Sequence, residues 1–70
     1  MTRDEFLHKY HNYQTKDKYE AITEAKKVND IGIDDGIAVP VLFPNLGYCL
    51  MLLMAALELK KIGLPIEVIL

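Results

Sequence analysis

An uncharged run of 21 residues, from Ile37 to Leu57, dominates this 70-residue chain. The run, IAVPVLFPNLGYCLMLLMAAL, is as long as a membrane-spanning helix, which needs about 20 apolar residues. Two prolines and an asparagine interrupt its first third, so that only the last twelve residues can form a regular helix. Such a helix is roughly 18 Å long and does not cross a hydrocarbon core of about 30 Å. We therefore predict burial within protein, with membrane insertion of residues 37–57 as the alternative.

The length of the chain allows a single domain, residues 1–70. A core this small is marginal and commonly needs a disulfide, a metal or a partner chain. The one cysteine, Cys49, cannot form a disulfide within the chain, and a lone cysteine in an apolar segment favours a reducing, cytoplasmic setting. Association with a partner is therefore the expected source of additional stability.

Charge and apolarity are divided unequally between the two halves of the chain. Residues 1–36 hold 14 of the 18 charged side chains, whereas 24 of the 34 residues in 37–70 are apolar. The net charge of −2 is typical neither of a nucleic-acid polycation nor of an acidic DNA mimic. The first half is expected to form a polar, amphipathic layer, and the second half is expected to supply the core.

The first half has the pattern of two helices, over residues 2–14 and 17–29. Thr2 and Asp17 are suited to cap them, because each is followed three residues later by a glutamate, the spacing of a capping box. The short link predicts an antiparallel helical hairpin. Residues 31–36, which are rich in Asp and Gly, are predicted to form a loop.

The second half is predicted to form a strand over 37–43, a long helix over 45–62 and a short strand over 66–70. Asn45 is suited to the N-cap of this helix, and Gly63 is suited to end it. Together these elements form a β-α-β unit, in which the strands would be parallel and the crossover right-handed.

The predicted fold class is therefore α+β, a single small domain with the order α-α-β-α-β. The helical hairpin of residues 1–30 would pack on a central hydrophobic helix, with two short strands beside it. A mostly α, three-helix domain is the alternative. Because apolar residues surround the central helix on all sides, it should be covered on all sides.

Two short helices and two strands cannot cover this central helix completely. We expect its uncovered side to contact another protein surface, in the simplest case a second copy in a twofold dimer. Methionines suit such a contact because their flexible side chains fill irregular surfaces. The candidate self-association residues are Leu50, Met51, Leu53, Met54 and Leu57.

A second candidate surface lies in residues 8–19, HKYHNYQTKDKY, where aromatic side chains alternate with basic ones. Tyrosine and histidine are suited to protein-binding hot spots, and the same pattern could stack on bases and contact phosphates. Core packing of the tyrosines remains open at this point, as does a role as a nucleic-acid accessory factor. The candidate partner-binding residues are Tyr10, His11, Tyr13 and Tyr19.

No pattern in the chain indicates catalysis, a metal or a cofactor. The chain contains no serine, and His8 and His11 have no further ligands at zinc-site spacing. Counted from Asp30, a calcium loop lacks the required glycine and glutamate. We therefore expect a small non-enzymatic interaction or regulatory module, of the inhibitor or accessory-subunit type. It would act as a dimer or as a tight partner of a larger protein.

Overall fold

The computed structural model describes residues 1–70 and contains three helices and three strands in the order α-α-β-β-α-β. The α+β class is confirmed, but the predicted order lacks one strand. The elements are α1 Arg3–Tyr10, α2 Lys18–Ile31, β1 Ala38–Phe43, β2 Gly47–Leu52, α3 Leu53–Lys61 and β3 Glu67–Val68.

The three strands form one sheet in the order β2-β1-β3, with β1 antiparallel to both neighbours. The register pairs Ala38 with Leu52 at one end of the β1–β2 hairpin and Phe43 with Gly47 at the other. Since β2 and β3 are both antiparallel to β1, they run parallel to each other with β1 between them. Helix α3 therefore connects two parallel strands that are not adjacent. The strands predicted to be parallel, over 37–43 and 66–70, correspond to β1 and β3, which are adjacent but antiparallel, so the predicted β-α-β unit is wrong.

The predicted helix over 45–62 is wrong in its first part, because residues 47–52 form strand β2. Pro44 and Asn45 occupy the central positions of the hairpin turn, and the Leu46 N–H donates to the Phe43 carbonyl at 3.3 Å. Asn45 has a φ of 68°, as the third residue of a type II turn requires, so it is not a helix N-cap. Proline followed by a residue that tolerates positive φ reverses the chain here.

Helix α3 begins directly after β2, with no linker between them. The Leu53 N–H donates to the Ile37 carbonyl at 2.8 Å, which ties the start of the helix to the start of β1. The predicted stop at Gly63 is confirmed. With a φ of 98°, Gly63 donates to the Lys60 carbonyl, and the next N–H donates to the Leu59 carbonyl, which is the Schellman pattern.

None of the three helices combines the length and the apolarity that a membrane crossing requires.

The predicted N-terminal caps are present in both of the first two helices. Thr2 and Glu5 form the complete capping box, each side chain accepting the backbone N–H of the other residue. Asp17 accepts two backbone N–H groups of the first turn of α2. The bounds differ from the prediction, because α1 ends at Tyr10 and α2 continues to Ile31.

The sheet, and not a helix, is the central layer of the molecule. Helices α1 and α2 cover one face, where Phe6, Val28 and Leu50 belong to the larger core cluster. Helix α3 covers the other face, where Val41 and Ala56 are fully buried. The prediction that a helical hairpin packs on a central helix is not confirmed. No Cα atom of α1 lies within 8 Å of one in α2, and both helices contact the sheet instead.

Strand β1 is bonded along both of its edges, although it contains Pro40. The Pro40 carbonyl accepts the Ile69 N–H at 2.9 Å, so the backbone polar side of Pro40 faces β3 and leaves the β1–β2 ladder intact. Beyond β3, the Asn29 side chain takes the place of a strand. It accepts the Ala38 N–H at 2.8 Å and donates to the Ala38 carbonyl at 2.9 Å.

The outer edge of β2 is covered by the link between α1 and α2. Thr15 and Tyr48 form an antiparallel bridge, with N–H···O distances of 3.0 and 2.7 Å. This close approach requires glycine at position 47. A Cβ atom there would lie 2.7 Å from the Thr15 carbonyl oxygen, and Gly47 also has a φ of 101°. The link is therefore held to the sheet by its backbone.

We expect Asn29→Ala to lower the free energy of unfolding by about 1–3 kcal/mol, because the substitution leaves both polar groups of the buried Ala38 backbone unpaired. The matched control is Asn12→Ala, which removes an exposed asparagine outside the helices and strands. Urea denaturation measures both. An equal loss in the two variants would contradict the strand-like role of Asn29.

Gly47→Ala and Gly63→Ala form a second matched pair, because both glycines have a φ near 100° but only Gly47 is crowded. Gly63→Ala should cost about 1–2 kcal/mol, the strain of a left-handed alanine. Gly47→Ala should cost clearly more, since Thr15 must move away from Tyr48 as well. Thermal unfolding of the two variants measures the difference, and equal costs would rule out the close approach at Thr15.

Candidate partner-binding surface

Ten large hydrophobic side chains are exposed on this small molecule. Four of them lie between residues 54 and 64, on α3 and directly after it. Isolated exposed hydrophobic residues are common on protein surfaces, so only their clustering indicates a binding site. The ten residues are Leu7, Tyr19, Ile31, Ile37, Leu46, Met54, Leu57, Ile62, Leu64 and Leu70.

An apolar groove lies between the chain entering β1 and the start of α3. We call it the α3 groove. It has a volume of about 450 Å³. Arg3 and Asp35 stand among its lining residues, and the Arg3 guanidinium donates to the Asp35 carbonyl at 3.1 Å. The hydrophobic lining residues are Ile37, Leu52, Leu53, Met54 and Ala55.

A second apolar groove, the α2 groove, lies between α2 and the edge of β1 and has a volume of about 370 Å³. It is located where β3 has ended and the Asn29 side chain bonds β1 in its place. Lys26 and Asn29 supply its polar lining. Its hydrophobic lining residues are Ile22, Ala25, Ile37, Ala38, Val39, Leu53, Ile69 and Leu70, with Pro40 beside them.

The two grooves share Ile37 and Leu53, so they form one continuous surface. We call the two grooves together the Ile37 surface. Ile37 lies at the junction with 54% of its area exposed, and Met54 is 70% exposed. The backbone hydrogen bond between Ile37 and Leu53 holds the junction in place. The Ile37 surface is thus mainly apolar. Its floor consists of the ends of β1, β2 and α3.

Two cationic side chains and one acidic side chain line this surface, and neither cation has an ionic partner within the chain. The single ion pair within the chain joins Lys27 and Glu24 at 3.2 Å, far from the α3 groove in sequence. Arg3 lines the α3 groove and Lys26 lines the α2 groove. Asp35 is the one acidic side chain among the lining residues.

The structure separates the five residues predicted for self-association. Leu50 is buried in the cluster beneath α1 and α2, whereas Met51 packs in the cluster beneath α3. These two residues therefore point to opposite faces of β2. Only Leu53, Met54 and Leu57 lie together on α3, and of these Met54 and Leu57 are exposed.

The residues predicted for partner binding are divided as well. Tyr10 is buried, and its ring centroid lies 5.2 Å from that of Phe6, in a tilted arrangement, and 5.6 Å from that of Tyr13, edge to face. His11 and Tyr19 are exposed, and Tyr19 retains 78% of its area. Because Tyr10 and Tyr13 pack against the core cluster, their rings do not form an exposed platform on which bases could stack.

The buried tyrosines carry the main perturbed titrations in the molecule. Burial, and then the hydrogen bond from its hydroxyl to Glu24 at 2.9 Å, raise the pKa of Tyr10 to about 12. Hydrogen bonds from Tyr10 and then Lys27 lower the pKa of Glu24. Burial also raises the pKa of Tyr13, whose hydroxyl is buried without a hydrogen-bond partner. This network fastens α1 to α2 through side chains.

The potential metal ligands of the chain are dispersed. No three His, Cys, Asp or Glu side chains lie close enough together to hold a metal ion. Burial raises the pKa of the Cys49 thiol, which disfavours the nucleophilic thiolate.

A scan against protein-family models gave no match, and searches of curated proteins and of solved structures gave no significant match either.

Sequence reasoning did not identify Ile37 as a site residue. Its exposure depends on where β3 ends and where α3 begins, and neither position could be predicted while residues 47–52 were assigned to a helix. The sequence offers one weak signal for Ile37 as a site residue. Ile37 is a β-branched residue that follows Gly36 directly and precedes the buried strand β1.

We expect the free energy of unfolding to fall as the pH rises from 10 to about 12. Unfolded Tyr10 loses its proton near its ordinary pKa of about 10, whereas folded Tyr10 holds its proton until about pH 12. The stabilising contribution of the protonated hydroxyl is therefore fully present below pH 10 and is lost as the pH rises to about 12. Tyr10→Phe should flatten this decline. Tyr19→Phe, a change of an exposed tyrosine, should retain the parental slope in urea titrations across that range.

Proposed function

We propose that this chain is a small non-enzymatic protein-interaction module, of the inhibitor or accessory-subunit type, which binds a partner chain through the Ile37 surface. One observation carries the proposal: two apolar grooves meet at Ile37 on a molecule of only 70 residues. Concave apolar surfaces of this kind receive the anchoring side chains of a partner, and such anchors supply most of the binding energy.

The rigidity of the frame supports this function. The floor of the surface consists of the ends of β1, β2 and α3, joined by the bond from Leu53 to Ile37. A pre-formed surface loses little conformational freedom on binding, which favours affinity. Met54 adds an exposed, flexible side chain that can adapt to the shape of the partner.

Charge at the surface favours a particular kind of partner. Arg3 and Lys26 line the two different grooves, and neither has an ionic partner within the chain. A partner segment with apolar residues in its centre and carboxylates at its ends matches this arrangement. Such complementarity acts mainly on the rate of association and on the choice of partner.

The placement of the reactive groups supports a binding function. Tyr10 and Glu24 satisfy each other inside the fold, and the Cys49 thiol is held away from its reactive form. The lining of the Ile37 surface contains no histidine and no cysteine. We infer that the protein acts by occupying the surface of another macromolecule.

The test is Ile37→Asp, which places a charge at the junction of the grooves and should weaken partner binding by at least about tenfold, the cost of burying an unpaired carboxylate at an interface. The matched control is Leu46→Asp, since Leu46 is 48% exposed against 54% for Ile37 but lies at the tip of the hairpin. The parent chain is used to capture a partner from cells, and the purified partner is titrated by calorimetry.

Wild-type affinity in Leu46→Asp together with loss in Ile37→Asp supports the proposal. Equal affinity in both variants, with both folded by circular dichroism, would show that the Ile37 surface does not bind the partner. The absence of any protein that binds saturably would overturn the interaction function itself.

A further inference from the structure

The solvent side of α3 and the turn after it form a second apolar surface, which we call the α3 stripe. It consists of Met54, Leu57, Glu58, Lys61, Ile62 and Leu64, all of which are exposed. Ala56, fully buried against the sheet, lies on the opposite side of the helix. The α3 stripe continues from the Ile37 surface through Met54, which lines the α3 groove.

The α3 stripe has complementary residues at equal distances from a point between residues 59 and 60. Glu58 and Lys61 are equally distant from that point and carry opposite charges. Leu57 and Ile62 are also equally distant from it, and both are apolar. At 100° per residue, Glu58 and Lys61 lie near the centre of the exposed face, and Leu57 and Ile62 lie on its two sides.

A helix with this pattern is complementary to itself when two copies pack antiparallel. Twofold symmetry through that point brings Glu58 of each copy opposite Lys61 of the other, so two equivalent ion pairs form. Leu57 and Ile62 flank these pairs and shield them from water. Met54 is 5.5 residues from the same point, so it lies beyond the last residue of the other helix, Lys61 of the second copy.

The charges of the stripe are free to form these pairs. The single ion pair within the chain lies in α2, and neither Glu58 nor Lys61 makes a side-chain hydrogen bond. Opposite charges arranged in this way fix the register between two copies and disfavour a parallel arrangement, in which like charges would meet.

We propose that the α3 stripe is the interface of a twofold antiparallel dimer of this chain, held in register by reciprocal Glu58–Lys61 ion pairs. The inference goes beyond the proposed function, because it names a second copy as the partner of a surface other than the Ile37 surface. An interface centred on a nine-residue helix is small, below about 1,200 Å² in total, so we expect a weak dimer in the micromolar range.

The test uses charge reversal in the full chain, with sedimentation velocity over a concentration series. Glu58→Lys and Lys61→Glu each place like charges opposite each other, so each should raise the dimer Kd at least about tenfold. An equimolar mixture of these two variants restores both ion pairs and should form a heterodimer. The double variant Glu58→Lys/Lys61→Glu should return to within about threefold of the parental Kd.

The control is Lys18→Glu, which reverses an exposed lysine on α2 and should leave the dimer Kd unchanged. Circular dichroism verifies the fold of each variant, since all these positions are exposed. A parent chain that stays monomeric at millimolar concentration would overturn the dimer. A dimer that is insensitive to both single reversals would overturn the antiparallel geometry.

These outcomes are distinguishable from failure of the proposed function. If the parent is monomeric but Ile37→Asp still abolishes binding of a captured partner, the interaction function stands and the second copy is not its partner. If charge reversal abolishes the dimer and no other protein binds, the dimer stands and the Ile37 surface has no separate partner.

Discussion

The whole fold depends on the pairing of one central strand along both of its edges. Strand β1 is covered by helices on both faces, so every polar group of its backbone must be bonded within the protein. Three separate parts of the chain supply those bonds: β2 along one edge, and β3 and Asn29 along the other. Because these partners come from residues 29 to 69, the bonding of β1 is complete only when the chain as far as Ile69 is in place. The helix backbones are positioned by the sheet and not by each other.

The apolar run that dominates the sequence is divided between the two faces of the sheet. Alternate residues of β1 and β2 point to opposite faces, so one half of the run packs under α1 and α2 and the other half under α3. The accessible surface of 4755 Å² is close to the value of about 4,500 Å² expected for a compact monomer of this size. Within the run, 14 of the 21 residues are buried or half-buried in the single chain. Of the large hydrophobic residues of the run that stay exposed, Ile37, Met54 and Leu57 lie on the Ile37 surface and the α3 stripe, where binding is proposed, and Leu46 lies at the tip of the hairpin.

The sequence predicted the elements whose ends are set by local chemistry. The capping residues Thr2 and Asp17, the strand over β1 and the stop at Gly63 all follow from hydrogen bonds or backbone angles within a few residues. Strand β2 could not be predicted in this way, because leucine and methionine favour helices and only pairing with β1 makes GYCLML a strand. The turn formed by Pro44 and Asn45 was the one local sign of the hairpin. The candidate site shared this error, since Leu50 and Met51 were placed on a helix face that does not exist.

The Asn29 side chain gives the molecule a chemical vulnerability at a defined point. Its amide offers one donor and one acceptor to Ala38, whose neighbour Ile37 lies at the junction of the two grooves. Conversion of that amide to a carboxylate would leave two acceptors facing each other where a bond had been. The change would thus loosen the beginning of β1 and disturb the nearby binding surface while the rest of the sheet remained paired.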